Sequence, residues 1–169
     1  MLLRIAGIIE ESIVDGPGLR FVVFVQGCKR HCPGCHNPQT HDYNSGLAIE
    51  PKEIIEMMKK NPLLDGLSLS GGEPFDQPEA LTDLAESAHR CGYGVMAWSG
   101  YTFEELMANE AQRRLLEAVD VLVDGPFMLE QRSLSLLWRG SANQRVLDVK
   151  RSLAENSPVE IEEECLNNS

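Results

Sequence analysis

The chain has 169 residues and a formal net charge of −11, from 15 Lys and Arg against 26 Asp and Glu. This length fits one domain with a substantial core, and the acidic balance gives no electrostatic support for nucleic-acid binding. The sequence has no apolar run of membrane-spanning length and no signal-peptide pattern, so we expect a cytoplasmic protein with no membrane anchor.

Short apolar segments alternate with amphipathic segments along the chain. The apolar segments predict strands at residues 2–9, 21–25, 66–70, 94–98 and 119–123. The amphipathic segments predict helices at residues 51–60, 78–91 and 111–118. This alternation is typical of βαβ units, so the sequence predicts an α/β fold with a parallel sheet whose ligands gather at the carboxyl ends of the strands. Residues 127–149 favour neither helix nor strand.

The C-terminal segment differs in composition from the rest of the chain. From residue 152 onward it has no Lys or Arg, five Glu residues and few large apolar groups. Such a segment buries too little apolar surface to offset the entropy of ordering. We therefore expect one domain over residues 1–151 and an acidic, disordered tail over residues 152–169.

Three of the five cysteines lie within eight positions, directly after the predicted strand at residues 21–25. Cys28, Cys32 and Cys35 have the spacing CxxxCxxC, and an intervening proline and glycine prevent a regular helix, so the three sulfurs can converge. Cysteines this close together do not form a disulfide framework for a chain of this length. Reduced, metal-binding cysteines also indicate the cytoplasm.

The other two cysteines and both tryptophans have simpler interpretations. Cys91 continues the apolar stripe of the predicted helix at residues 78–91, so we expect a buried thiol. Cys165 falls in the predicted tail and is not expected to bind metal. Trp98 and Trp138 are expected to be packing residues.

Three thiolates are one ligand short of a saturated four-cysteine site. Either His31 or His36 completes a structural zinc site, or the cysteines hold an iron-sulfur cluster with one open iron. The sequence Gly71-Gly72-Glu73, directly after the predicted strand at residues 66–70, favours the cluster. A structural zinc site needs no second binding loop, whereas an open iron needs a loop that holds its ligand.

Six segments of the chain resemble a known family. They are DGPGLR at residues 15–20, GCKRHCPGCHN at 27–37, SLSGGEP at 68–74, WSGYT at 98–102, DVLVDGPF at 120–127 and LLWRGSANQR at 136–145. The CxxxCxxC and GGE segments resemble the radical S-adenosylmethionine enzymes. All six together resemble, within that superfamily, the activating proteins of anaerobic ribonucleoside-triphosphate reductases.

This resemblance implies an incomplete parallel β/α barrel and two cofactors. A [4Fe-4S] cluster would be held by Cys28, Cys32 and Cys35, and S-adenosylmethionine would chelate the fourth iron. The residues implied around the methionine end are Gly71, Gly72 and Glu73, and those on the adenine side are Gly34, Cys35 and His36. Many family members have an aromatic residue just before the third cysteine. Here that position is Gly34, so the ring that stacks on the adenine stays open.

The resemblance also implies an activity and partners. Reductive cleavage of S-adenosylmethionine at the cluster would give a 5′-deoxyadenosyl radical, which would generate a glycyl radical on the large subunit of the reductase in a heterotetramer. The implied electron donor is a low-potential protein such as flavodoxin or ferredoxin. One alternative is an activator of another glycyl-radical enzyme, such as pyruvate formate-lyase, or a small radical enzyme that acts on a metabolite. An alternative of another class is a non-catalytic zinc-binding interaction module.

Overall fold

Residues 1–166 are described by a computed structural model in which strands and helices alternate along the chain. The strands are β1 (Leu3–Ser12), β2 (Arg20–Val25), β3 (Leu47–Ile49), β4 (Gly66–Gly71), β5 (Gly94–Trp98), β6 (Val121–Asp124) and β7 (Arg145–Asp148). The α-helices are α1 (Pro51–Met58), α2 (Pro78–Arg90), α3 (Phe103–Met107), α4 (Glu110–Glu117), α5 (Val149–Glu155) and α6 (Glu163–Leu166).

The strands form one sheet in the order β3-β1-β2-β4-β5-β6-β7. β2, β4, β5 and β6 run parallel, whereas β1, β3 and β7 are antiparallel to their neighbours. The sheet ends at β3 and β7 and stays open, so the predicted α/β fold with an incomplete barrel is confirmed. Its parallel part is limited to four strands, because β1, β3 and β7 on the two flanks pair antiparallel. The sequence analysis did not predict this antiparallel pairing.

The main core lies between the sheet and helices α1 to α4. β5 alternates between two apolar clusters, since successive residues of a strand point to opposite faces. Val95 and Ala97 enter the main core, while Met96 and Trp98 belong to a second, smaller cluster on the other face. Each large apolar side chain buried in this way stabilises the fold by about 1.5–3 kcal/mol.

The segment predicted as a disordered tail is ordered over residues 152–166, so that prediction is wrong there. α5 runs through the expected domain boundary, and Ile161 N donates to Val146 O at 2.8 Å. Leu166 is 5% exposed and joins the second cluster. The edge of β7 and this cluster supply the pairing and burial that the acidic composition alone does not suggest. Residues 167–169 lie outside the described part of the chain.

Cys91 is exposed, so its predicted burial is also wrong. α2 ends at Arg90, and Cys91 is the C-terminal cap before Gly92, whose φ of +86° turns the chain away from the helix. The cysteine therefore leaves the apolar stripe on which the prediction was based. Cys165 is exposed as well. Within residues 1–166, no helix has the length and apolar character needed to cross a membrane.

Candidate active site

The cysteine loop (residues 26–37) and the glycine loop (residues 71–73) lie side by side because they follow adjacent parallel strands. Val25 of β2 pairs with Gly71 of β4. Beyond this pair, Gly72 N donates to Val25 O and Glu73 N donates to Gly27 O, each at 2.8 Å. The backbone of one loop therefore fixes the position of the other.

The glycine residues of the glycine loop are required by this close approach. Gly71 has a φ of +96°, and a Cβ on it would lie 2.7 Å from Val25 N. A Cβ on Gly72 would lie 2.9 Å from the carbonyl carbon of Gly27. Both contacts are with backbone that cannot move aside, so only glycine fits without displacing the cysteine loop.

A cavity of about 700 Å³ opens between these loops and the segment that follows β6. Its wall includes most residues that the sequence analysis singled out: Cys28, Cys32, Cys35, His36, Gly71, Gly72 and Glu73. Of the residues implied for the two cofactors, Gly34 alone is not in this wall. It has a φ of +74° and lies against Leu129, where a Cβ would come within 2.7 Å of Cδ1. Its role is to turn the cysteine loop.

The three cysteines of the loop are free and half-buried. Cys28 N donates to His41 O at 3.1 Å, and Cys35 N donates to Cys32 O at 3.0 Å. Burial is the main reason that the pKa of the Cys28 thiol is raised. The loop is thus tied down at its start and folded back on itself between the second and third cysteines.

Within residues 1–166, no three His, Cys, Asp or Glu side chains converge closely enough to hold a single metal ion. A four-iron cluster makes a different demand, because each cysteine binds a separate iron. Each histidine considered as a zinc ligand has a contact with another ring. His31 Nδ1 lies 3.0 Å from His41 Nδ1, and the ring of His36 contacts that of Phe127, with centroids 5.1 Å apart.

Glu73 is 1% exposed and forms part of the cavity wall. Its Oε1 accepts hydrogen bonds from Ser99 Oγ at 2.8 Å and Phe75 N at 3.1 Å, and its Oε2 accepts one from Gly100 N at 2.8 Å. Burial raises the pKa of this carboxyl to about 7, although the hydrogen bonds favour the ionised form. A cation brought to Glu73 would therefore find a carboxylate that is already oriented.

Aromatic rings also line the cavity. His36 and Phe127 pack together, and a Cβ on Gly140 would lie 3.1 Å from Phe127 Cδ2 and 3.5 Å from His36 Cε1. Trp98 and Trp138, the two tryptophans of the chain, also line the cavity. Trp98 Nε1 donates to Trp138 O at 2.6 Å. These tryptophans pack against the second cluster, as predicted, and in addition shape the site.

The β6–β7 loop (residues 125–144) carries nearly half of the cavity residues that the sequence analysis missed. They include Phe127, Leu134, Leu136, Trp138 and Gly140. Two amide side chains fasten this loop: Asn143 Nδ2 donates to Pro126 O at 2.7 Å, and Gln144 Nε2 donates to Gly125 O at 3.0 Å. The two ends of the loop lie in the segments DGPF and LLWRGSANQR, so these motifs were the available signal, whereas residues 128–135, with Leu134, lie outside both.

Comparisons with known proteins agree with this architecture. The family model described as "4Fe-4S single cluster domain" matches residues 14–147. QueE from Escherichia coli, a solved structure, superposes with a TM-score of 0.51 at 15% identity, over 60% of this chain and 54% of QueE. The chain thus corresponds to about half the length of QueE, and this likeness concerns the fold alone.

Several curated relatives share one name. The anaerobic ribonucleoside-triphosphate reductase-activating protein of Escherichia coli (strain K12) is 39% identical over 144 residues, 80% of this chain and 92% of the relative. The protein of that name from Vibrio cholerae is 40% identical over 79% of this chain and 90% of its own length. That of Enterobacteria phage T4 is 34% identical over 80% and 87%. The chain therefore belongs to the family of anaerobic ribonucleoside-triphosphate reductase-activating proteins.

Proposed function

We propose that this chain activates an anaerobic ribonucleoside-triphosphate reductase by radical chemistry at an iron-sulfur cluster. The observation that carries the proposal is the cavity, where three free thiols stand beside a buried, oriented carboxylate. Three cysteine thiols are a suitable donor set for a cluster with one open iron. Family membership adds that relatives of 34–40% identity bear the name of reductase-activating proteins.

In this proposal Cys28, Cys32 and Cys35 hold a [4Fe-4S] cluster, and S-adenosylmethionine binds beside it. When bound, a reduced cluster would supply one electron to the sulfonium, so that the bond from sulfur to the 5′-carbon breaks and gives methionine and a 5′-deoxyadenosyl radical, which would take a hydrogen atom from a glycine of the reductase. The residues of this chain position the reactants. Leu134 and Leu136 add apolar surface to the cavity wall.

Glu73 is proposed to bind the amino group of S-adenosylmethionine. Its Oε2 accepts from Gly100 N, and a carboxylate oxygen can accept a second donor. An amino N–H that donates at this position would stabilise the ionised form of a carboxyl whose pKa burial has raised to about 7. The neighbouring glycines, Gly71 and Gly72, present no side chain, so the wall beside Glu73 stays open to the methionine end.

The adenine ring is proposed to lie at the side of the cavity formed by Cys35 and His36. The ring of Phe127 packs against His36, which gives this side an extended aromatic surface. Such surfaces favour offset stacking or edge contacts with a planar ligand. Gly34 does not line this side of the cavity. Its positive φ turns the loop and so sets the position of the next residue, Cys35.

The partners of the activity are also proposals. The family resemblance supports a heterotetramer with the large subunit of the reductase, and flavodoxin or ferredoxin as the electron donor. Exposed apolar residues near the cavity, Ile13, Val14 and Leu134, offer a surface for the reductase. Free, half-buried thiols are consistent with the reducing cytoplasm.

The test begins with anaerobic reconstitution of the full chain with iron and sulfide, followed by dithionite and S-adenosylmethionine. We expect a brown protein that forms 5′-deoxyadenosine. After addition of the reductase, electron paramagnetic resonance should show a glycyl-radical doublet. A colourless protein with stoichiometric zinc would overturn the proposal in favour of an interaction module. Cleavage without a doublet on a competent reductase would instead indicate a different target enzyme.

A further inference from the structure

Asp76 lies three residues after Glu73 and outside the cavity wall, yet its carboxylate joins segments from several loops. The side chain is 8% exposed, and Lys29 Nζ lies 3.6 Å from its Oδ1. Its oxygens accept hydrogen bonds from the hydroxyls of Tyr43 and Tyr101, the latter at 2.8 Å. A largely buried carboxylate with hydroxyl donors and a nearby cation is a strong local anchor.

The partners of Asp76 bracket Cys28. The ring of Tyr43 covers Gly27, where φ is +103° and a Cβ would lie 3.1 Å from the ring carbon Cγ. Lys29 is the next residue on the other side. Both chain neighbours of Cys28 are therefore connected to the same carboxylate, one through the Tyr43 ring and one through an ion pair.

Asp76 is also connected to the residues that hold Glu73. Asp76 N donates to Glu73 O at 3.0 Å. Tyr101, which donates to the Asp76 carboxylate, has its own N–H bonded to Ser99 Oγ at 3.0 Å, and that hydroxyl donates to Glu73. The Asp76 carboxylate thus links the first cysteine to the buried carboxyl of the glycine loop.

We propose that Asp76 is a positioning residue, which fixes the Cys28 thiol relative to the Glu73 carboxylate. The consequence for the cluster rests on the proposed function, whereas the placement of the thiol does not. In metal sites, removal of a side chain that supports a ligand typically costs about 10–100-fold in metal affinity or activity. We expect an effect at the lower end of that range, because Asp76 acts through Tyr43 and Lys29.

The first measurement uses the cluster-loaded full chain with Asp76→Asn, which preserves the shape of the side chain. Iron release to a chelator should become about tenfold faster. The midpoint potential should rise, because a negative charge near the cluster is lost, and the paramagnetic resonance spectrum of the reduced cluster with S-adenosylmethionine should change. Asp83→Asn, an exposed carboxylate on α2, is the matched control and should change none of these. Wild-type release, potential and spectrum in Asp76→Asn would overturn the proposal.

The second measurement needs no cluster. In the metal-free full chain, alkylation by iodoacetamide read by mass spectrometry should be faster at Cys28 in Asp76→Asn and unchanged at Cys91. Tyr43→Phe removes one donor and should accelerate Cys28 less, and it carries the test if Asp76→Asn does not fold. An unchanged alkylation rate at Cys28 would overturn the proposal that Asp76 positions the Cys28 thiol. A wild-type chain that fails to cleave S-adenosylmethionine overturns the proposed function instead.

Discussion

The cavity has two walls that are built differently. The first wall consists of the cysteine and glycine loops, whose backbones bond to each other and to β2, and it contains the buried Glu73. The second wall is the β6–β7 loop. It is fastened by the side-chain amides of Asn143 and Gln144, and its Leu134 is 86% exposed.

The difference follows from what each wall packs on. The first wall continues the central strands β2 and β4, whose side chains fill the main core. The second rests on the smaller cluster of Met96, Val123, Val146 and Leu166. Regions with few buried apolar contacts open at a lower free energy than the main core. The first wall therefore fixes the chemical groups, and the second is the side on which we expect the cavity to open to a partner.

The largest effect should come from breaking the first wall at a proposed cluster ligand. Cys32→Ala should abolish cluster binding and formation of 5′-deoxyadenosine, because it removes one of the three thiolates proposed to hold the cluster. Iron content and product formation measure this. Cys91→Ala is the control, since Cys91 is exposed and is not among the cavity residues. The opposite pattern for the two variants would contradict the ligand assignment.

Gly72→Ala tests how tightly the two loops of the first wall are packed. The added Cβ would lie 2.9 Å from the carbonyl carbon of Gly27. Because the contact is with backbone, the free energy of unfolding should fall by about 3 kcal/mol, the upper end for overpacking. Gly7→Ala is a suitable control, since a Cβ there meets no atom within 4 Å. Urea unfolding of the metal-free chains gives both values. Equal stability of the two variants would mean that the loops can separate at little cost.

Glu73→Gln tests the charge in the first wall. Above pH about 7 the variant should bind S-adenosylmethionine about tenfold more weakly, because a charge-assisted hydrogen bond becomes neutral. Wild-type affinity should rise with pH through about 7, since burial raises the pKa of Glu73 to about 7 and only the ionised form pairs with the amino group. Quenching of the fluorescence of Trp98 and Trp138, both in the cavity wall, reports binding. A variant with the wild-type pH profile would rule out this role.

The same shift predicts a stability effect in the metal-free protein. The folded state holds the proton of Glu73 more tightly than the unfolded state, because its pKa is raised. The free energy of unfolding should therefore fall as pH rises from the ordinary carboxyl pKa to about 7. Glu73→Gln should lose that dependence, which urea unfolding at a series of pH values would measure.

The first wall could be predicted from the sequence and the second could not. The apolar runs at 21–25 and 66–70 and the loops after them are local patterns, and parallel strands joined by a right-handed crossover place those loops at the same end of the sheet. The contact of Phe127 with His36 joins residues far apart in the chain. No periodic pattern in residues 127–149 indicates this contact. The segments DGPF and LLWRGSANQR could therefore be noticed in the sequence, but their place in the cavity could not be predicted.

The errors at Cys91 and in the tail have a related cause. The helical spacing that includes Cys91 is real, but the helix ends one residue earlier, and the end of a helix is the part that sequence patterns locate least well. In the tail, Ile161 and Leu166 are separated by glutamates, so the average composition of the segment is acidic and does not indicate these two apolar residues. Their burial depends on β7 and on Met96 of β5, which are distant in the sequence.

The smallest predicted effect concerns this support of the second wall. Leu166→Ala should lower the free energy of unfolding by about 1 kcal/mol, below the range for fully enclosed leucines, because a four-residue helix near the chain end can shift to fill the space. Leu63→Ala, at an exposed position, should change it by less. Hydrogen exchange should become faster in the β6–β7 loop and stay unchanged in β2 and β4. If exchange in β4 accelerated as well, the two walls would open as one cooperative unit. The distinction between a rigid first wall and a second wall that opens would then be wrong.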